Sequence, residues 1–332
     1  MNASTVRFVL VRLVATVLVL ILIAVITYAV FYLLPADPAR LSCGRPCTPD
    51  NLRRAEAFMG TDLPWWQQLY AFGKGIVAGR TFGTGAAAVV CAAPCFGYSF
   101  QQNASVSEVI AAGFPVTASI AVGAAVLWLL LGVGGGVASA VRRGRPLDRT
   151  VMTLSMAGVS APVYLVGLLA ILLFGFTLHW LPTGGYVPLL ESPGEWLLHL
   201  LLPWCSLALV TAAVYTRLTR AQLLEALGED YIRTARAKGL RERRVVLRHG
   251  LRNAIVPVVT VFGLDLGALL GGAIIVEKVF SMYGLGARLI DAVRLLDLQV
   301  VVGLTLFSAF LIVIANFVVD LVYGIIDPRV SQ

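Results

Sequence analysis

The feature that most constrains this chain is a series of apolar runs with almost no ionisable side chain. Residues 13–36, 109–141, 150–190 and 196–216 contain no Asp, Glu, Lys or Arg. Residues 254–276 and 298–326 contain one each, Asp265 and Asp320. A run of 18 or more such residues is long enough to cross a bilayer as a helix. The 41 residues from 150 to 190 exceed one helix. They break at Trp180-Leu181-Pro182-Thr183-Gly184-Gly185, which is turn chemistry, so the third span ends near His179. Pro35 and Pro38 stop the first span. The expected fold is an all-α, polytopic membrane protein with six transmembrane helices. Only 13% of the chain is charged, against about 25% in soluble domains, which excludes the soluble classes.

Short polar segments rich in Lys and Arg mark the cytoplasmic side. The N-terminus, residues 142–149 and residues 217–252 fall on one side if there are six spans, and Asp327-Pro328-Arg329 joins them, so both termini are expected in the cytoplasm. Residues 37–108 and 277–297 then lie outside; long loops translocate largely regardless of their charge. The first apolar run exceeds a signal-peptide core and lacks a small-residue cleavage site, so it reads as a retained helix. Three regions follow: a tail and first span (1–36), an extracytoplasmic insertion (37–108) and a membrane core (109–332). The net charge of +8 sits mostly in short loops, so it speaks to orientation and not to nucleic acid.

Cys43, Cys47, Cys91 and Cys95 fall in the outer segment as two C-x-x-x-C pairs. In an oxidising compartment they predict disulfides, with three connectivities open. A metal site is the rival reading, but that segment holds no His, and all-Cys zinc sites use tighter spacing. Cys205, inside span four, reads as a small apolar filler.

No G-x-x-x-x-G-K-[ST] phosphate loop occurs, and Gly73-Lys74-Gly75 does not qualify. There is no H-E-x-x-H, no G-x-S-x-G, and His179, His199 and His249 are scattered. No catalytic residue, resident cofactor or metal site is nominated. Gly132, Gly134, Gly135 and Gly136 lack a strand–turn–helix context and read as a close-packing stripe.

The polar stretch from Arg217 to Arg252 has ten Lys/Arg against four acids. Residues 225–238 predict a helix, with Glu225, Glu229 and Asp230 near its start and Arg233, Arg236 and Lys238 near its end, as the helix dipole prefers. Gly239 supplies a left-handed stop, and a second helix starts near Arg241 and enters span five. The hairpin, about 217–253, offers a flat contact face at Ala235 and Gly239. By composition it docks a protein or lies on anionic lipid.

Here the sequence resembles a known family. Thr234-Ala235-Arg236-Ala237-Lys238-Gly239, followed by Arg248-His249-Gly250-Leu251-Arg252-Asn253-Ala254, is similar to the EAA loop of ABC-importer permeases. More narrowly, it resembles the first-permease subfamily of dipeptide/oligopeptide systems. Similar matches run in order along the chain. They comprise Arg7–Arg12 with Leu34-Pro35-Ala36-Asp37-Pro38, Asp62-Leu63-Pro64, Phe96-Gly97-Tyr98-Ser99, residues 263–277, Val279-Phe280-Ser281 with Gly284-Leu285-Gly286, and Asp327-Pro328-Arg329. The departures are Arg233 in place of a glutamate, Arg252 and Tyr283 in place of prolines, Asp265 in place of an uncharged residue, and the four-cysteine outer loop.

The resemblance implies a non-catalytic permease subunit in a bacterial inner membrane, forming half of a translocation path for short peptides. Related systems carry nickel chelates, glutathione or haem. The implied partners are a homologous second permease, one or two ABC ATPases that bind the ATP, an extracytoplasmic solute-binding protein and the lipid bilayer. Tyr231, Thr234, Ala235, Ala237, Lys238, Gly239 and Leu240 become ATPase-coupling candidates. A stand-alone channel or secondary carrier, its hairpin on lipid, is the other class. Asp265, midway along span five, is expected to line the path or to bond a neighbouring helix as a carboxyl group. Phe280, Ser281, Gly284 and Gly286 are expected in an irregular outer gate, an ordinary exposed turn being the alternative. The outer segment meets the binding protein or is a passive cap.

Overall fold

A computed structural model describes residues 3–33, 40, 48–50, 52–53, 56, 64–83, 88–99 and 101–326. Helix α1 (Ala3–Leu33) is followed by α2 (Trp65–Ala78). Two small antiparallel ladders come next: β1 (Arg80–Phe82) with β2 (Val89–Cys91), and β3 (Tyr98–Ser99) with β4 (Ala104–Ser105). Helix α3 (Val106–Val141) starts at a reciprocal capping box between Ser105 and Glu108. Then come α4 (Pro146–Ser160), α5 (Val163–Thr177), α6 (Pro193–Ala226), α7 (Asp230–Ala237) and α8 (Glu242–Leu270). The chain closes with α9 (Ile274–Val279), α10 (Leu285–Leu295) and α11 (Leu298–Ile326).

Among the described residues five helices are long and apolar enough to cross a membrane: α1, α3, α6, α8 and α11. The count is six if α4 and α5 make one span. These two meet at 100°, so the third span is not the single helix expected. The cause is local. Pro162 disfavours helical backbone at the residue before it, and Ala161 is extended at φ −85°, ψ 123°.

Other boundaries shift for similar reasons. Span four runs on to Ala226, well past Thr216, so the hairpin's first helix begins at Asp230 and not at 225. Span five ends at Leu270, because Gly271 and Gly272 follow and Gly272 takes φ 141°. The outer insertion adds the two strand ladders, which the sequence reading did not contain. There Cys91 and Cys95 form a disulfide, both 2% exposed beside Phe82 and Tyr98. Cys43 and Cys47 lie outside the described residues. Cys205 is exposed on α6, so it faces away from the helix core and does not fill it.

The largest core cluster gathers Ile120, Trp128, Leu200, Leu207, Ala208 and Tyr215, and most of it lies between α3 and α6. The glycine stripe makes this pairing close. A Cβ on Gly132 would stand 2.5 Å from the Tyr215 Cβ, and one on Gly136 would stand 2.6 Å from the Thr219 Cβ and 2.8 Å from the Thr216 carbonyl. Gly134, two residues from each and so on the opposite, open side of the helix, would meet nothing within 4 Å.

Overpacking a tight contact costs about 1–3 kcal/mol. Gly136→Ala is therefore expected to lower the unfolding temperature of the purified protein, and Gly134→Ala to leave it unchanged. Equal behaviour of the two would contradict the close α3–α6 contact.

Candidate functional site

The hairpin is built around a small core of its own. Ile232 and Ala235 on α7 pack against Val245 on α8, with Leu240 partly buried beside them. Ala235 is 7% exposed, so it faces the second helix and does not form the flat outer face expected of it. The outward face carries Arg233, Thr234, Ala237 and Lys238. Tyr231 is also exposed, and its hydroxyl accepts a 3.0 Å bond from the Asn253 amide nitrogen.

Arg236 staples the two helices by donating from Nε and Nη2 to the Glu242 carboxylate at 3.1 and 2.7 Å. That hydrogen bonding raises the guanidinium's pKa. Gly239 turns the chain at φ 73°, with open space where a Cβ would be. The backbone conformation, and no side-chain clash, is what requires glycine there.

The hairpin is seated firmly. Val246 and Ala254 of α8 pack with Ala140 of α3 and Leu223 and Ala226 of α6. Nearby, buried Asp148 accepts from Arg220 Nε and Nη2 at 2.8 and 2.9 Å, from Gly144 N at 2.8 Å and from the Ser139 hydroxyl. This places the 142–149 turn and the hairpin at one end of the bundle, as the loop charges predicted.

Asp265 is half-buried on α8. The hydroxyl of the fully buried Tyr215 donates to its Oδ2 at 2.7 Å. The acid is thus tied to α6 and is not grouped with the outer turn.

Phe280, Ser281, Gly284 and Gly286 do come together, in a turn at the other end of the bundle. Phe280 is 1% exposed, and its carbonyl accepts from Gly185 N at 2.9 Å. Ser281 takes φ 51°. Organising the turn is Glu277, whose side chain is fully buried. It accepts from Thr117 Oγ1 at 2.7 Å, Ala273 N at 3.2 Å and Ala287 N at 2.7 Å. Thr117 Oγ1 also accepts from Leu285 N at 2.8 Å.

Helix α10 has no side-chain cap of its own, because Gly284 occupies that position. Thr117 and Glu277 satisfy its first N–H groups from outside, and the carboxylate faces the positive end of the helix dipole. Burial pushes the Glu277 pKa up, and the hydrogen bonds oppose this. Every group touching it is a donor, which fits an ionised carboxylate. A Cβ on Gly284 would strike the Glu277 carboxyl and Thr117, and one on Gly286 would approach Ile274.

Sequence reasoning did not nominate Glu277, Thr117, Tyr215, Asp148 or Arg220 as paired groups. Glu277 carried one signal, a lone acid ending an apolar run. The Asp148–Arg220 pair is 72 residues apart and carried none.

Comparison with known proteins adds a second line. The sequence description of "Binding-protein-dependent transport system inner membrane component" matches residues 132–332, and that of the N-terminal part of such components matches residues 5–121. The chain is 38% identical over 319 residues to a Brucella abortus protein named as a peptide transport system permease, covering 94% of this chain and 95% of the relative. It is 36% identical over 324 residues to the glutathione transport system permease protein GsiC of Escherichia coli K12, covering 98% of each. Among solved structures, a chain of the MetNI methionine ABC transporter superposes with a TM-score of 0.52 at 18% identity, covering 67% of this chain and 97% of that one. That likeness speaks to the fold alone.

The Glu277 cap makes a direct prediction. Leaving a buried donor unpaired costs about 1–3 kcal/mol. Glu277→Leu strands Thr117, Ala273 and Ala287, whereas Glu277→Gln keeps one accepting oxygen. Thermal unfolding of the purified protein should rank wild type above Glu277→Gln and that above Glu277→Leu. Three equal midpoints would contradict the cap.

Proposed function

The chain belongs to the binding-protein-dependent transport system inner membrane components, and from that premise we propose that it is one permease subunit of an ATP-driven importer of short peptides. The observation that carries this reading is the hairpin. Its outward face is exposed while its root, at the start of α8, is packed on two other spans, α3 and α6, the arrangement needed to receive a force from another protein and pass it into the membrane. The chain has no phosphate loop, so the ATP belongs to a separate ABC ATPase, one or two copies of which dock on the hairpin. A homologous second permease completes the path, and a solute-binding protein delivers substrate to the side carrying residues 37–108. That side is extracytoplasmic and both termini are cytoplasmic. Peptide transport is supported by the names of the Brucella relatives.

In this reading Thr234, Ala237 and Lys238, flanked by Arg233 and Tyr231, meet the ATPase. Ala235, Gly239 and Leu240 shape the hairpin from within. Asp265 lines the path with Tyr215 holding its carboxylate, and the Glu277–Gly286 turn is the outer gate. ATP-driven approach of the ATPases shifts the hairpin, and α6 and α8 carry the shift towards the gate. Substrate biases the two states only through its differential affinity for them. A second substrate reading, a modified small peptide such as glutathione, is favoured by the 36% identity to the glutathione permease.

The test is ATP-driven uptake of a labelled tripeptide by the reconstituted complex. Ala237→Trp places bulk on the docking face and is expected to reduce uptake on the order of tenfold, the effect of about 1.4 kcal/mol. Asp265→Leu is expected to slow uptake while ATP hydrolysis persists. Wild-type uptake in the first variant would remove the hairpin from coupling; in the second it would remove Asp265 from the path.

A further inference from the structure

Helix α2, in the outer insertion, has three chemically distinct faces. Phe72 packs with Val302 and Leu306 of α11, with Ile76, and with Ile23 and Ala24 of α1 around it. At about 100° per residue, residues 66, 70, 73 and 77 fall on a second face. It presents Trp66, Tyr70 and Val77, which are 56%, 73% and 81% exposed. Gln67 and Lys74 fall on a third, polar face and are exposed as well. Lys74 there borders a recess of about 490 Å³ together with Arg80.

Depth decides what covers the second face. Val302 and Leu306 lie four and eight residues inside the apolar stretch Leu298–Val319, about 6 and 12 Å at the helical rise. Ile23 and Ala24 lie well within the first apolar run, residues 13–36. Phe72 shares one packed cluster with all four, so α2 lies against the apolar stretches of α1 and α11 and not in the water above them. A helix at that depth with one side on protein and another polar has its remaining side in lipid. Tyr and Trp are the residues that favour this boundary, and amphipathic helices lie in its plane.

We propose that α2 is an interfacial anchor, lying in the leaflet on the side of residues 37–108 with Tyr70 and Val77 among the lipid acyl chains and Lys74 at the headgroups. It thereby fixes the height of the disulfide-closed Cys91–Cys95 turn above the membrane. The β1 strand begins two residues after α2 ends, and Arg80 pairs in register with Cys91.

The test is photo-crosslinking in the intact complex in phosphatidylethanolamine/phosphatidylglycerol nanodiscs, with p-benzoylphenylalanine replacing Tyr70, Val77, Gln67 or Lys74 in turn. Mass spectrometry is expected to find phospholipid adducts several-fold more abundant at positions 70 and 77 than at 67 and 74. Three results would overturn the anchor. One is cross-linking of 70 and 77 to another protein subunit, which would make this face a protein interface. Another is no lipid adduct at 70 and 77. The third is the same lipid yield at all four positions, as an unfolded segment would give.

Discussion

Hydrocarbon supplies no partner for a polar side chain, so each buried acid in a membrane bundle must find its partners within the chain. Among the described residues four carboxylates meet that requirement: Asp297 accepts from Ser99 and from Val300 N at the start of α11, and the other three hold the bundle together. At one end Asp148 joins Ser139 of α3 to Arg220 of α6. Midway, Asp265 joins α8 to Tyr215 of α6. At the other end Glu277 joins Thr117 of α3 to the start of α10. Thr117 and Ser139 are 22 residues apart on one helix, about 33 Å along its axis, close to the thickness of the bilayer's apolar core. Helix α3 is thus tied at both membrane faces, and the glycine stripe presses α6 against it between those ties.

This arrangement makes the bundle suited to carrying displacement. Helix α6 runs without a break from Pro193 to Ala226, and the hairpin's root packs on its end. Breaks occur where the sequence removes hydrogen bonds or adds freedom: at Ala161-Pro162, at Leu227–Glu229 and at Gly271–Gly272. Between such breaks each helix is continuous. The outer turn carries its own closed network around Glu277, so it too is a unit and not a loose loop.

Much of this was legible in the sequence, for identifiable reasons. Uncharged runs located the spans, and the sixth was read with its start correct at Leu298, where Asp297 precedes the run as an acid at a helix start. Gly239 was read as the hairpin's turn because few other residues tolerate its backbone angles. The rest depended on information that one chain does not display locally. Ala235 looked like contact surface because it is small, yet its smallness serves the packing of Val245. Span three looked continuous because Pro162 is apolar and leaves no trace in a count of charges. Span four looked shorter because charges from Arg217 onward marked the bilayer boundary and not the helix end. Glu277, Thr117 and Asp148 became meaningful only once residues 160, 10 and 72 positions away were brought beside them.

The proposed docking of the outward face of α7 on an ATPase is the point on which the transport reading turns most directly. Single cysteines at Thr234, Ala237, Lys238 and, as an inward control, Ala235 can be reacted with a short bismaleimide in the assembled complex. The first three should form a covalent product with the ATPase subunit, and Ala235 should form none. Products from Ala235 alone, or no product from any of the outward positions, would contradict docking through this face.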